Sequence, residues 1–459
     1  MARAARSDTH HNDDGLAPVA MSPHQYLVVA LCCLCNMADG FDVTSMALAA
    51  PTLAKQWGIA PALLGTIFGA SSLGLSVGAF LVAPMADSLG RRPIMLTAIG
   101  SLALLLALTG LSTTILQLVV FRFLTGIGLG TLVVCLNTTV AEISSDGSRN
   151  LAMAMLHFGF TMGMMIGSGI AVLALQHGGW RSIFFAAGAI NALTFLASLF
   201  LLDESMQFLA MRRRPADLGR ANSLRKRMRM SPIDAFPARP SAITRKTFAI
   251  RALLSPRMRA ITLLIWATSL TYAIVGYFLL NWKPTILVNA GLSPTLAAAS
   301  GIITGACGAM GHLAMGLLAR RFGEGRLTAI FFALAAVSLF IFGVQPPDAI
   351  PLLAMAGITT LFVVGAYTGL FLVAVTLYPP DIRNSGVGFV VGFTRVGAVA
   401  GPMIGGFLMG AGLGRMDVYF IFSAIALTPA LTMFFANRLA LARPQLSGVA
   451  NASSANPAF

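Results

Sequence analysis

Twelve long apolar segments run through this sequence, and they restrict the chain to a narrow class of folds. Of its 459 residues, 57% are hydrophobic and only 10% are charged, whereas about 25% are charged in a soluble domain. So few polar side chains cannot cover a soluble globule, and about 20 apolar residues suffice for one helix to cross a bilayer. We therefore predict an all-α integral membrane protein with twelve transmembrane helices. The predicted segments are 25–52, 60–85, 93–113, 116–142, 150–176, 180–202, 257–288, 296–319, 327–344, 349–377, 384–412 and 416–438.

The longest gap between the segments is polar and divides the set into six plus six. The first residues are polar and mixed in charge. A signal peptide is not expected there, because no short apolar region with a cleavage site follows. The predicted regions are a cytoplasmic N-terminal tail (1–24), an N-terminal six-helix half (25–202), a basic cytoplasmic linker (203–256), a C-terminal six-helix half (257–438) and a cytoplasmic C-terminal tail (439–459).

The Lys and Arg residues predict the side of each loop, because cytoplasmic loops carry an excess of them. With the N-terminus inside, the inner loops and tails hold 25 of the 31 basic residues. The outer loops hold four, namely Lys55, Arg181, Lys283 and Arg415. Both termini are therefore predicted to be cytoplasmic, and the net charge of +15 needs no nucleic-acid partner. The basic stretch 212–229 is either a topology anchor or a contact to anionic lipid.

Two pairs of similar stretches indicate an internal duplication. DGSRNLAMAMLHFGFTMGMMIGSG, from residue 146, resembles PDIRNSGVGFVVGFTRVGAVAGPM, from residue 380, at an offset of 234. ADSLGRR (86–92) falls beside ARRFGEGR (319–326) at an offset of about 233. Parallel halves of this kind build alternating-access transporters, with a site near mid-membrane where the halves meet.

The cysteines and most glycines of the apolar segments are interpreted as structural. All five cysteines lie in apolar segments, and no second pair or histidine cluster completes a metal site beside Cys32 and Cys35. We expect buried thiols, with neither a metal site nor a disulfide framework. The small-residue spacing within 159–167 and 397–406 predicts close helix packing.

Two carboxylates stand inside the first apolar segment, in the string DGFD. Asp39 and Asp42 are three residues apart, so they share one face of a helix. A charged carboxylate near the bilayer centre costs at least ~2.5 kcal/mol, and two on one face repel each other. We therefore predict a proton-coupling site here. The alternative is a fixed buried ion pair that does not titrate.

Arg122 and His157 complete the predicted proton-coupling set. Arg122 lies about six residues into the fourth segment and needs a counter-charge inside the membrane. We predict that it pairs with the two aspartates in one state, and the alternative is a static pair. His157, in the fifth segment, can relay protons. For His157, as for His312, the favoured alternative is a hydrogen-bonded interior residue.

Arg395 is the candidate ligand for a substrate carboxylate. It lies twelve residues beyond Arg383, ~18 Å along a helix and roughly halfway through a ~30 Å core. Because no acidic residue lies deep inside a second-half segment, an anionic substrate would supply its partner. A guanidinium grips a carboxylate with two parallel hydrogen bonds. The alternatives are a pair with Asp39 or Asp42 across the halves, or contacts to backbone carbonyls.

The loop APMADSLGRRP, residues 83–93, carries charge between the second and third segments. Asp87 stands at a helix end, and Arg91 and Arg92 follow the turn glycine Gly90. A carboxylate and arginines here can form a charge-assisted latch that breaks and re-forms as the halves rock. The alternative is a basic turn that only sets topology. The predicted cytoplasmic gate comprises Asp87, Gly90, Arg91, Arg92, Glu142, Arg149 and Arg383.

These motifs resemble those of a known family. The Asp, Gly, Arg, Arg core of that loop and the pattern from Arg122 to Gly126 are similar to signatures of the major facilitator superfamily. The DGFD string, Arg383 and Arg395 resemble the aromatic acid:proton symporters, which import compounds such as 4-hydroxybenzoate, protocatechuate and benzoate. The resemblance covers all twelve segments and implies the facilitator fold.

The resemblance also implies that the first, fourth, seventh and tenth segments line the cavity. An aromatic substrate needs flat apolar walls and a few polar groups. The alternative for each polar or aromatic candidate is ordinary packing. The candidate substrate-binding residues, besides Arg395, are Tyr272, Tyr277, Asn281, Asn137 and Tyr367.

We therefore predict a secondary active transporter, not an enzyme, that imports an aromatic carboxylate by proton symport. The proton is the coupling ion and no other cofactor is expected. The expected setting is the plasma (inner) membrane, as a lipid-contacting monomer without nucleic acid. The alternatives are a facilitator-type carrier for another organic anion, a drug exporter, or a membrane enzyme or sensor. The last is disfavoured because no segment carries a nucleophile-base set or a phosphate loop.

Overall fold

A computed structural model describes residues 21–236 and 246–442 of the chain. All regular structure in these ranges is helical. Residues 1–20 of the predicted tail 1–24 lie outside the described residues. So do residues 443–459 of the predicted tail 439–459. Residues 237–245 of the predicted linker also lie outside them.

The first half contains six helices, and α2 continues through a π-helical turn and a 3-10 turn. These elements are α1 (Pro23–Trp57), α2 (Pro61–Val77), the π turn Gly78–Val82, the 3-10 turn Ala83–Met85, α3 (Ala86–Leu89), α4 (Arg91–Leu111), α5 (Ile115–Ile143) and α6 (Asp146–Leu201). The linker helices are α7 (Met206–Arg212), α8 (Pro215–Arg227) and α9 (Lys246–Leu253). The second half contains α10 (Arg259–Asn289), α11 (Pro294–Phe322), α12 (Glu324–Val344), α13 (Ala349–Leu377), α14 (Pro380–Gly410) and α15 (Arg415–Leu441).

The predicted twelve-helix membrane fold is confirmed. In the described part of the chain, 11 helices are long and apolar enough to cross a bilayer. One of them, Leu151–Leu201, has 51 residues, or ~76 Å at 1.5 Å per residue, which is too long for one ~30 Å crossing. Gly179, with φ 69° and ψ −162°, breaks it into two. With twelve crossings, α1 begins and α15 ends at one face of the bundle, the terminal face; the other is the opposite face.

Six glycines with positive φ mark matching turns in the two halves. Each such glycine of the first half recurs 233 residues later, in agreement with the duplication predicted from the sequence. The pairs are Gly58 with Gly291, Gly90 with Gly323, and Gly179 with Gly412. The same tight turns therefore connect corresponding helices in both halves.

Glycines also set the closest helix contacts inside each half. A Cβ on Gly163 of α6 would lie 1.9 Å from the carbonyl oxygen of Met37 in α1. A Cβ on Gly397 of α14 would lie 2.4 Å from the carbonyl oxygen of Leu270 in α10. The two contacts correspond under the duplication. They confirm that the small-residue stretches serve close helix packing.

The hydrophobic core shows how the halves meet. One buried cluster contains residues of both halves at the opposite face, among them Leu53, Phe68, Trp282 and Ile286. Toward the terminal face, the described residues form two clusters instead. One lies wholly in the second half, and the other lies wholly in the first half. The halves are therefore joined at the opposite face and part toward the terminal face.

The predicted linker is partly helical and docks on the first half. In α7 and α8, Arg212 forms an ion pair with the buried Asp217, whose Oδ2 accepts from the Arg212 Nε at 2.9 Å. The Arg212 hydrogen bonds, helped by the amide of Arg214, hold the pKa of Asp217 at about 2. Leu224 and Met228 line a 480 Å³ cavity against the first half.

One basic residue lies deeper than the sequence interpretation placed it. Lys283 was counted with the outer loops, but it lies within α10, six residues before the helix ends at Asn289. The predicted segment 257–288 already contained this residue, and the helix continues through Pro284 to Asn289, so only the assignment of Lys283 to a loop was wrong.

Candidate transport site

Asp39 and Asp42 are buried in the middle of α1, with 1% and 0% of their surfaces exposed. The Nδ2 of Asn191 in α6 donates to Oδ2 of Asp42 at 2.8 Å. Neither oxygen of Asp39 has a hydrogen-bond partner among the described residues, and Oδ1 of Asp42 has none either. Burying a carboxylate without such partners is costly while it is charged. Asp39 is therefore the more sensitive of the two to changes in nearby charge.

The two carboxylates have different cationic neighbours. The charge of Arg122 acts on Asp42 within the first half, and the charge of Arg395 acts on Asp39 across the two halves. In the described part of the chain, neither arginine forms an ion pair with them. The Nη2 of Arg122 donates to Oγ of Ser71 at 3.2 Å instead. The predicted pairing of Arg122 with both aspartates is therefore an electrostatic interaction with one of them.

Arg395 lies beside a group of tyrosines in the second half. Its Nη1 is 3.5 Å from the hydroxyl of Tyr277, and its Nε has no partner among the described residues. Tyr272 stacks on Tyr367 with ring centroids 5.2 Å apart and planes at 21°. Tyr367 also meets the edge of Phe371. The structure thus combines a guanidinium that has few hydrogen-bond partners with flat aromatic surfaces.

The two asparagines predicted to bind substrate are bonded to their own helices. Asn281 donates to the carbonyl of Tyr277 at 2.8 Å, and Asn137 donates to the carbonyl of Val133 at 2.7 Å. Asn281 is one turn from the tyrosine that contacts Arg395. Asn137 lies fifteen residues from Arg122 along α5, ~22 Å nearer the terminal face. The structure therefore does not bring Asn137 to the Arg395 group.

His157 does not join the two aspartates in the structure. It is exposed on α6, and its charge acts on His312 of α11 in the other half. The described charges acting on Asp39 and Asp42 do not include it. His312 is hydrogen-bonded to the hydroxyl of Thr368 in α13. The structure therefore does not bring His157 to the predicted carboxylates.

The predicted gate has a different carboxylate at its centre. Arg91 forms an ion pair with Glu142 at the end of α5. Asp87, the partner suggested by the loop sequence, is 70% exposed and 4.0 Å from Arg91. Ser205 Oγ donates to Glu142 at 2.8 Å. We call Arg91, Glu142, Glu204 and Ser205 the terminal network.

Glu204 joins this network through the backbone. It accepts from the amides of Arg91 at 2.8 Å and Arg92 at 3.2 Å. Gly90 has φ 106°, and a Cβ there would lie 2.5 Å from a Glu204 carboxylate oxygen. Glycine is therefore required at this turn both for its conformation and for the approach of Glu204.

The remaining predicted gate arginines donate to backbone carbonyls of their own half. Arg92 Nη2 donates to Leu199 at 2.8 Å, and Arg149 Nε donates to Ala141 at 2.9 Å. Arg383 Nε donates to Tyr378 at 3.3 Å. Carbonyls at helix ends lack intrahelical partners, so these arginines also cap α5, α6 and α13.

Four residues at these sites were not found from the sequence: Ser71, Asn191, Glu204 and Ser205. Asn191 had a detectable signal, since it is an amide inside the predicted segment 180–202. Glu204 follows directly after that segment and could have been paired with the basic loop by charge. Ser71 gave no signal, because serines are common in packed membrane helices.

The sequence profile described as "Major Facilitator Superfamily" matches residues 32–378. The chain belongs to the Major Facilitator Superfamily. This facilitator is 31% identical to the gallate transporter of Pseudomonas putida, over 90% of the chain and 92% of that relative. It is 29% identical to the 4-hydroxybenzoate transporter PcaK of Pseudomonas aeruginosa (85% and 88% covered) and 26% identical to the benzoate transport protein of Acinetobacter baylyi (94% of each).

Solved structures agree with the facilitator fold. A bacterial homolog of the human lysosomal transporter Spinster, inward-facing and unoccupied, superposes with a TM-score of 0.70 at 16% identity, covering 93% of this chain and 98% of that one. The inward-open xylose transporter XylE of E. coli gives 0.69 at 17% identity, covering 89% and 96%. These structures confirm the fold, and the profile match with the relatives above confirms the resemblance read from the loop and the DGFD string at the level of the family.

Proposed function

We propose that this facilitator imports an aromatic carboxylate together with a proton by alternating access. The observation that carries the proposal is the electrostatic interaction of buried Asp39 with Arg395 across the boundary of the two halves, with Arg395 next to the hydroxyl of Tyr277. The relatives named above are transporters of gallate, 4-hydroxybenzoate and benzoate. They support the substrate class.

Arg395 is the group that would bind the carboxylate. Its guanidinium offers a planar set of donors that matches two carboxylate oxygens, and its described contacts use little of that capacity. The ring of the acid would lie against Tyr272, Tyr277 and Tyr367. Burial of a flat ring against tyrosines contributes through apolar area and favourable ring geometry.

Asp39 would couple the proton to the anion. While Asp39 is charged, it supplies the negative charge next to Arg395 and competes with a substrate carboxylate. A proton on Asp39 removes that competition, so Arg395 gains affinity for the anion. By linkage, the bound anion raises the affinity of Asp39 for the proton by the same factor. Asp42, held by Asn191 and near Arg122, would keep α1 and α5 aligned during this exchange.

The halves provide the alternating access. We infer that the terminal face is cytoplasmic, because 25 of the 31 Lys and Arg residues fall on its loops and tails. The halves part toward this face, so the described state is inward-open and ready to release substrate. Reorientation would then separate the core shared at the opposite face. We place the carrier in the plasma membrane, as a monomer in contact with lipid.

The test is uptake of labelled 4-hydroxybenzoate and benzoate into proteoliposomes under an inward proton gradient. Wild type should accumulate at least one of them. Asp39→Asn should lose the response to the gradient, and Arg395→Gln should lose uptake. Arg415→Gln serves as the matched control, because that arginine lies outside the proposed site, at the start of α15, and donates to the backbone carbonyl of Gln345. A folded wild-type protein that takes up no aromatic acid would refute the proposed substrate class.

A further inference from the structure

Lys283 is a cation inside a membrane helix for which the site above gives no role. Its Nζ donates to Oγ1 of Thr304 in α11 at 2.8 Å. The Lys283 side chain is partly buried. It forms no ion pair with a carboxylate of the described residues. An ammonium has three protons to donate, and an ionisable group at membrane depth normally has a partner or a function. The described contact uses one of the three.

The Lys283–Thr304 pair lies next to two contacts that join the halves toward the opposite face. Trp282, the preceding residue, meets Phe68 of the first half edge-to-face, with ring centroids 5.4 Å apart. Gly301, one turn from Thr304, is so close to the first half that a Cβ there would lie 2.0 Å from Oγ of Ser168. Both closing contacts therefore flank the pair, one on each helix.

Opening of the opposite face must separate these contacts. Trp282 would leave Phe68, and Gly301 would leave Ser168, so that Lys283 and Thr304 would face the medium. In that state an ammonium and a hydroxyl on adjacent helices offer two donors to a single carboxylate. A compact, strongly hydrated ammonium suits first capture of an anion better than a fixed bidentate grip, which is the property of a guanidinium.

We propose that Lys283 and Thr304 form an outer carboxylate-binding site, at which the substrate binds from the opposite face before it reaches Arg395. This inference rests on the proposed function. In the inward-open state the site is covered and the ammonium bonds only to Thr304 among its described partners. The site therefore serves substrate that arrives from the opposite face, and it is closed to substrate that arrives from the terminal face.

The experiment compares the two directions of transport. The KM for labelled 4-hydroxybenzoate is measured in right-side-out vesicles, which present the opposite face, and in inside-out vesicles. Lys283→Met should raise the outer KM by about tenfold, since one charge-assisted contact is lost, and change the inner KM by less than about twofold. Lys283→Arg, which keeps the charge, should recover most of the affinity. Lys55→Met removes an exposed lysine near the end of α1 at the same face and should change neither KM.

Thr304→Val keeps the ammonium and the shape of the side chain, so it tests the site even where Lys283→Met does not fold. It should raise the outer KM by about threefold and leave the inner KM unchanged. Equal changes of both KM values, or no change in either, would overturn the outer site while the proposed function stands. Absence of uptake by wild type would overturn the proposed function and this inference together.

Discussion

Asp39 of α1 and Arg395 of α14 influence each other across the boundary between the halves, yet no hydrogen bond joins them. A direct ion pair would tie α1 to α14 and leave Arg395 without spare donors. Without that pair, the donors of Arg395 stay open to a third group, while the acid and the base belong to different halves. Substitutions at the two positions should therefore have different effects on transport.

Asp39→Asn should separate exchange from accumulation. Asparagine resembles the protonated acid, so Arg395 stays available to the substrate at every pH. We expect substrate exchange in proteoliposomes to continue and to lose its pH dependence, while accumulation against a gradient stops. Asp42→Asn is the control, because Asp42 is hydrogen-bonded to Asn191 rather than facing Arg395. Loss of exchange in the Asp39 variant, with folding intact, would contradict this role.

Arg395→Lys should bind substrate more weakly although it keeps the charge. Lysine lacks the planar fork that matches a carboxylate, so we expect KM to rise by about tenfold or more in uptake assays. Tyr277→Phe removes the hydroxyl beside Arg395 and should raise KM only about twofold to fivefold. Equal affinity in the Arg395→Lys variant would show that only charge matters at this position.

Glu142→Gln should destabilise the carrier more than Asp87→Asn does. Glu142 forms the ion pair with the largely buried Arg91, whereas Asp87 is mostly exposed, and exposed pairs contribute only ~0–1 kcal/mol. Thermal unfolding in detergent would measure both variants. A double-mutant cycle of Glu142→Gln with Arg91→Gln should give a coupling of about 1–3 kcal/mol. A larger loss of stability in Asp87→Asn than in Glu142→Gln would show that Asp87 is the main carboxylate of the gate.

Gly163→Ala and Gly397→Ala should both destabilise the protein, because each added Cβ would overlap a carbonyl oxygen of the neighbouring helix. We expect losses of about 1–3 kcal/mol, typical of overpacking, in thermal unfolding and expression. A Cβ on Gly388, also in α14, would meet no atom within 4 Å among the described residues. Gly388→Ala should be neutral or slightly stabilising, since Ala is the better helix former. Similar losses at all three positions would argue against close packing as the cause.

Asp217→Asn should loosen the linker at neutral pH. The Arg212 hydrogen bonds hold the pKa of Asp217 at about 2, below its usual ~3.9. A depressed pKa in the folded state contributes stability above the usual value, and this contribution is lost as the pH falls from about 4 toward 2. Trypsin should cut the linker of the variant faster at pH 7. Wild type should become pepsin-sensitive only toward the acid end of that window. Asp234→Asn, at an exposed linker position, should leave trypsin cleavage unchanged.

The twelve crossings and the duplication were predictable because both depend on local sequence. A crossing needs an apolar run of sufficient length, and a repeated turn needs a glycine at the same register, as at Gly90 and Gly323. The predicted segment bounds lie within a few residues of most helix ends. At Gly179 the sequence separated two crossings, 150–176 and 180–202, that the structure joins into the one helix α6. The break there is a single residue between two apolar runs.

Partners across helices were harder to predict. Spacing placed Asp39 and Asp42 on one face of α1, but residues three apart still differ by about 60° around a helix axis. That angle is enough to turn one toward Arg395 and the other toward Arg122 and Asn191. Glu142 of α5 took the place predicted for Asp87 as ion-pair partner of Arg91, and Glu204 reached the Arg91 amide because the chain folds back after α6. The assignment of Lys283 to an outer loop was wrong although the predicted segment 257–288 contained it, because α10 continues past Pro284.

The opposed acid and base have an electrical consequence. With the site empty, Asp39 and Arg395 carry opposite charges that sum to zero. With one proton and one monoanion bound, the same four charges still sum to zero. Moving the site from one side of the bilayer to the other therefore transfers no net charge in either half of the cycle. Under the proposed coupling of one proton to one monoanion, membrane voltage would do no work on the carrier, and the pH difference would be the energy source for accumulation.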